Sequence, residues 1–369
     1  MAIRVVFLII VLLHGFIHLL GFVKAFDLQK VKALSIPVSK PMGVAWFMVT
    51  VLFLLYGTLY YLNIKYAWLF GIFAMIASQI LIIYFWNDAK FGTIPNLFIL
   101  IVVLISFGSH LLLNEFTSYV EKDFSKNNTL STDILTEHET AHLPPIVQTY
   151  LVVTKSVGQP KIKNFKAEFV GRMRSNPTDK HMNFKSVQYN FFQQPSRYFY
   201  MTASKMGLPA TGQHMYQNEK ATFEVRLLNW FKVVDAKGDK LDQAETVTLF
   251  SEMCFMAPAT LIDNRITWET VNDTTVNAIF KNGGISIRAT LYFNARGELV
   301  NSISNDRYDT DGEKYTSYPW ATPVGNYRTI KGYWLPSTIK LIYQKPEGNF
   351  IYGELEFNDV RYNLINMEE

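Results

Sequence analysis

The chain has a single cysteine, Cys254, in 369 residues. An internal disulfide is therefore excluded, and a thiol among apolar neighbours reads as a small buried hydrophobe rather than a nucleophile. A long basic run is also lacking: the net charge of +4 is spread over scattered lysines. Nothing in that pattern points to nucleic acid. There is no glycine-rich phosphate loop, dinucleotide fingerprint, Ser-His-Asp set or acid pair of distinctive spacing, so no residues for a hydrolase or transferase stand out apart from one histidine motif at 138–142. The N-terminal apolar stretch lacks the short core and small-residue cleavage site of a signal peptide, so it is expected to stay as a helix.

What the chain does have is four long apolar runs, at 3–23, 44–62, 67–86 and 97–113. At about 1.5 Å per helical residue each reaches across a hydrocarbon layer about 30 Å thick. With short links between the later runs, residues 1–113 read as an antiparallel four-helix transmembrane domain. Lys24, Lys30, Lys32 and Lys40 lie between the first two runs and Lys90 between the last two, whereas the opposite side has Arg4 and Lys65. The positive-inside rule then places those loops in the cytoplasm and the chain after residue 113 outside. Polar groups within the spans are His14, His18, Ser78 and Gln79, with Lys24 and Asp88 at a rim. Matched depths predict a His14–Gln79 pair and a Lys24–Asp88 ion pair that hold helices together. His14 and His18 are four residues apart and share a helical face, so haem or metal ligation is the alternative.

Residues 114–143 read as a polar linker. It contains His138-Glu139-Thr140-Ala141-His142, the HExxH spacing that puts two histidines on one helical face for zinc, with Glu139 as base. Pro144 and Pro145 follow at once and cut the helix that such a site needs. An exposed linker is therefore expected, with zinc at His138 and His142 as the alternative.

From 144 to 369 the pattern changes to period two, with a short helix opened by Pro145 and then many alternating runs such as FKAEFVGRMR and ISIRATLYF. Residues 241–256 interrupt the series with helical spacing, ended by Pro258. The expected fold is α+β: an antiparallel β half-barrel wrapped on one long helix, outside the membrane. Its aromatic content suggests either a large solid core or an apolar cavity, the latter lined by Phe169, Tyr189, Phe191, Phe223, Leu291 and Phe293 turned inward.

The segments HGFIHLLGFVKAF, SQILIIYFWNDAKFGTIPN, LPPIVQTYL and MAPATLIDNRITWE resemble a family of uncharacterised bacterial membrane proteins, of Bacteroidetes type, defined by a domain of unknown function. The order of elements after residue 144 is similar to that of LolA/LolB-type lipoprotein-carrier half-barrels. These resemblances imply a multi-pass protein of the bacterial inner membrane whose outer domain takes a lipid, a lipidated protein or another apolar ligand without catalysis or cofactor. The alternatives are a zinc peptidase using His138, Glu139 and His142, or a haem or redox protein using His14 and His18.

Overall fold

A computed structural model describes residues 2–126, 133–205, 207–310 and 314–367. Two compact units emerge, Met1–Leu112 and Leu113–Glu369. In the first, apolar sequence forms α1 (Ala2–Ile17), α2 (Leu19–Ala25), α3 (Lys40–Tyr61), α4 (Ala67–Tyr84), the short α5 (Trp86–Ala89) and the start of α6 (Thr93–Lys126). Among the described residues four helical stretches are long and apolar enough to cross a membrane: Ile3–Ala25, Lys40–Tyr61, Ala67–Tyr84 and Trp86–Lys126. Helix α3 comes close to α2 because glycine clears the way. A Cβ on Gly21 would lie 2.2 Å from the Trp46 indole, and one on Gly43 would lie 2.2 Å from Ala25 Cβ. Small residues at such crossings are how helices gain contact where burial from water offers no drive.

The second unit starts with the last turns of α6, from Leu113. The polar linker expected over 114–143 is, up to Lys126, a continuation of this helix. Phe116, Val120 and Phe124 recur every four residues on one face and are buried, together with Asp123. Beyond it come α7 (Glu137–Thr140) and α8 (Pro145–Val153), then β1 (Asn164–Met173), β2 (Met182–Phe191), β3 (Ser196–Lys205), β4 (Leu208–Gln217), β5 (Lys220–Leu227) and β6 (Phe231–Lys237). Helix α9 (Asp239–Met256) precedes β7 (Ile266–Asn272), β8 (Thr275–Asn282), β9 (Ile285–Phe293) and β10 (Leu299–Ser304). The short β11 (Tyr308–Thr310), β12 (Tyr315–Ser317) and β13 (Trp320–Ala321) lead to β14 (Val324–Ile330), β15 (Tyr333–Lys345) and β16 (Gly348–Tyr362).

One antiparallel sheet runs β6-β5-β4-β3-β2-β1-β16-β15-β13-β10-β9-β8-β7, with β14 also on β15. Glycines at positive φ, Gly283, Gly297 and Gly348, close three of its hairpins, as their turn chemistry requires. The sheet is open but strongly curled, consistent with the expected half-barrel, and α9 lies where the long helix was expected. Strands from both arms, β5 and β6 on one side and β9 and β10 on the other, touch α9. Across the gap Asn282 Nδ2 donates to the Tyr216 hydroxyl at 2.8 Å. Wrapped in this way, every residue of α9 from Ala244 to Met256 is buried, whereas a helix merely lying on a sheet would keep a wet face.

Candidate functional site

The interior of the curl contains charge. Glu245 and Glu252 stand two turns apart on α9 and point at β2, β3 and β4, where alternation brings Gln188, Asn190, Arg197 and His214 onto one face. Arg197 Nε donates to both Glu252 oxygens at 2.9 Å and Nη1 to Glu245 Oε2 at 3.2 Å. Gln188 and Asn190 donate to Glu252 Oε2 at 2.7 and 2.8 Å. From the other arm Arg307 donates to Thr248 Oγ1 at 2.6 Å and the Ala244 carbonyl at 2.9 Å, stands 3.3 Å from Glu245 Oε1, and lies 4.5 Å over the Trp320 ring. Glu245, Glu252, Arg197, Gln188 and Asn190 are buried, and Arg307 and His214 nearly so.

Burial pushes the Glu245 carboxyl up, but the adjacent His214 imidazole and the Arg197 and Arg307 guanidinium charges hold it below the usual carboxylate range. Glu252 goes the other way, because burial outweighs Arg197. His214 is pushed down to about 3 by burial. Its Nε2 lies 3.1 Å from Glu245 Oε1, off the line a hydrogen bond needs. The neutral imidazole, with 14% of its side chain exposed, packs beside two arginines and two carboxyls rather than opening onto the groove. The network orients α9 inside the curl instead.

The six residues expected to line a ligand cavity fall on two faces. Phe169, Leu291 and Phe293 are buried with α9, and Phe223 is half-buried with its ring 4.8 Å from that of His214. Tyr189 and Phe191 sit on the opposite face, a correction to the expected facing. Phe169 pairs with Ser186, so Ser186, Gln188 and Asn190 share its side, and Tyr189 and Phe191 turn away. Both are covered by α6: the Phe124 ring lies 4.9 Å from Phe191 and 6.0 Å from Tyr189, and Phe116 lies 6.1 Å from Tyr189. Asp123 seals this cover by accepting from the Ser196 and Tyr198 hydroxyls at 2.5 and 2.8 Å and from Gln217 at 2.9 Å.

Farther along that face, away from Phe191, β3, β2, β1, β16 and β15 form an open groove of about 830 Å³. Two cross-strand rows line it. One runs Thr202, Lys185, Val170, Glu356, Thr338; the other runs Ser204, Asn183, Arg172, Glu354, Lys340. Arg172 Nε is bonded to Glu354. Between these rows Gly171, Phe184 and Leu355 alternate to the α9 side, where a Cβ on Gly171 would come within 2.7 Å of the Phe184 ring. On the groove side the hydrocarbon comes from Val170, 42% exposed, and the stems of Lys185, Arg172 and Lys340, with charges of both signs above it.

HETAH does not form the helix a zinc site needs. Helix α7 has four residues and ends before His142. Glu139 closes a capping box on Thr136 and pairs with Lys161 at 2.6 Å; the Lys161 hydrogen bond, foremost, holds its carboxyl down at about 2. Among the described residues no group of three or more His, Cys, Asp or Glu could hold a metal ion.

In the helical unit the expected His14–Gln79 pair is mediated by Asn96. His14 Nε2 donates to Asn96 Oδ1 at 2.9 Å, and Asn96 Nδ2 donates to Ser78 Oγ and Gln79 Oε1, each at 3.0 Å. His18 bonds the His14 carbonyl at 2.9 Å and packs on Trp46 and Phe53. The Lys24–Asp88 ion pair is not formed. Lys24 bonds the Leu34 carbonyl, and Asp88 instead accepts from the Ser35 hydroxyl and the amides of Ser35 and Ile36 at 2.6, 2.7 and 3.0 Å. Three convergent donors satisfy a carboxylate at least as well as one flexible ammonium.

No curated protein matches the chain. A LolA superfamily protein from Nitrosomonas europaea is similar in structure over 59% of this chain and 91% of its own, at 9% identity and a TM-score of 0.34. A DUF1329 family protein from Desulfovibrio piger is similar over 60% and 95%, at 13% identity and a TM-score of 0.34. Residues 133–355 match a family of unknown function, DUF6544, and the chain belongs to that family.

Proposed function

We propose that this is a membrane-anchored binding protein of the bacterial cell envelope whose sheet unit holds a lipid or other amphiphile, without a catalytic step. The observation that carries the reading is the groove over β3, β2, β1, β16 and β15. A floor of Val170 and the aliphatic stems of Lys185, Arg172 and Lys340, edged by their charges and by Glu354 and Glu356, suits a molecule with an acyl body and a charged or zwitterionic head. The anchoring follows from the four apolar helices, and the lysine distribution orients the sheet unit outside the cytoplasm of an inner membrane.

Full-length protein purified in mild detergent is expected to keep a lipid adduct in native mass spectrometry and to take up a fluorescent fatty acid. Val170→Asp, which puts a charge in the floor at an exposed position, should weaken uptake at least tenfold while the fold persists. Absence of both adduct and uptake from the parent protein would sink the reading. For the orientation, an impermeant thiol reagent on intact cells should reach a cysteine at position 205 and not one at 32; the reverse pattern would overturn it.

A further inference from the structure

The hairpins β3–β4 and β5–β6 lie side by side, joined through the β4–β5 ladder and by the Leu228 amide donating to the Pro209 carbonyl at 2.7 Å. At their tips large apolar side chains face water: Leu208 is 45% exposed, Trp230 40%, Phe231 64% and Val233 59%. The turn that presents them is held in place. Leu228 and Asn229 both adopt left-handed conformations, φ 55 and 64, and the Asn229 side chain is buried, its Oδ1 accepting from Thr211 Oγ1 at 2.7 Å. A turn with two positive φ values normally selects glycine or asparagine; here a leucine stands in the first place.

Exposed Lys205 and Lys232 edge the same tips. Lys232 is paired with Glu224 and Asp235, and among the described residues Lys205 makes no ion pair. Clustered tryptophan, phenylalanine and leucine beside lysine is the composition that settles at the boundary between headgroups and acyl chains, and each lysine near an anionic surface adds attraction. The inference rests on the proposed reading of the four apolar helices as membrane spans.

We propose that the tips of β3–β4 and β5–β6 dock on an anionic bilayer surface, seating Leu208, Trp230 and Phe231 at the headgroup boundary. The surface is distinct from the groove, and the inference stands whether or not the groove holds an amphiphile.

The test uses the full chain with Cys254→Ala and Phe231→Cys, labelled with an environment-sensitive fluorophore and reconstituted in nanodiscs of phosphatidylcholine alone or mixed with phosphatidylglycerol. Lipid-borne nitroxide should quench the label severalfold more strongly than aqueous iodide does, with the larger effect in the anionic discs. Lys205→Glu should reduce that difference. A label open to iodide and untouched by the nitroxide would overturn the proposal. Equal lipid quenching in both discs would overturn the anionic assignment. Protection from both quenchers, found only in discs with two copies, would assign the patch to a second copy pairing along the β6 edge and equally overturn it.

Discussion

Replacing Arg197 with methionine is expected to destabilise the sheet unit by about 3–5 kcal/mol, because it strands carboxyls that α9 cannot turn toward water. Arg197 is the group that touches both Glu245 and Glu252, and neither has an exposed rotamer on a helix wrapped by strands from both arms. The cost lies less in the attraction lost than in what remains unpaired. Adding Glu252→Gln to Arg197→Met should therefore recover part of the loss, since the amide buries more cheaply than a stranded charge and still meets Gln188 and Asn190. Denaturant unfolding of the full chain followed by near-ultraviolet circular dichroism measures both. A single variant within 1 kcal/mol of the parent would show that α9 is held by apolar packing alone.

The same cluster gives the sheet unit an acid sensitivity. His214 has its folded value lowered to about 3 against about 6.5 for a free imidazole, so the unfolded chain binds the proton first. Its contribution is complete above pH 6.5 and is lost as pH falls toward 3, with an initial slope of about 1.4 kcal/mol per pH unit once below 6.5. Glu245, also lowered, acts in the same direction but only below the ordinary carboxylate range. Glu252, raised by burial, gains its proton in the folded state first and opposes this loss, so His214→Leu should remove the downward slope between pH 6.5 and 5 or reverse it. An unchanged slope in that variant would assign the acid sensitivity elsewhere.

How far the sequence could be read depended on what each pattern encodes. The spans were legible because long unbroken apolar runs have few other uses, and α9 because Leu241, Ala244, Val247, Phe250 and Cys254 keep helical spacing up to Pro258. Strand faces were not. In QYNFF, aromatic and amide residues alternate cleanly, but the alternation cannot say which set meets α9 when both faces are buried; the aromatics went to α6 and the amides to the charged interior. The charges in EKDFSKNN hid the Phe116-Val120-Phe124 stripe that continues α6. The interior network was beyond local reading, because its members come from 188–197, 214, 245–252 and 307 and meet only after the sheet has curled. Glu245 and Glu252, seven apart on the side of α9 that meets the sheet, were the one local sign of it.

Phe191→Ala should lower stability by about 3–5 kcal/mol, as expected for a fully buried ring in a site that cannot collapse. The ring meets Phe124 edge-on at 4.9 Å and Tyr198 at 6.3 Å. Rigid strands hold it on one side and α6, pinned by Asp123, closes the other, so little can move in to fill the space. Phe124→Ala opens the same interface from the helix and should cost a similar amount. Because the two rings share one contact, the double variant should lose less than the sum, by about 0.5–1.5 kcal/mol, the range for an aromatic pair. If Phe191 instead lines a ligand cavity, the ligand-free protein should tolerate the change and only ligand retention should shift. A Phe191→Ala chain that unfolds where its parent does, yet releases bound lipid faster, would return Phe191 to the ligand site and take from α6 its part in covering the sheet.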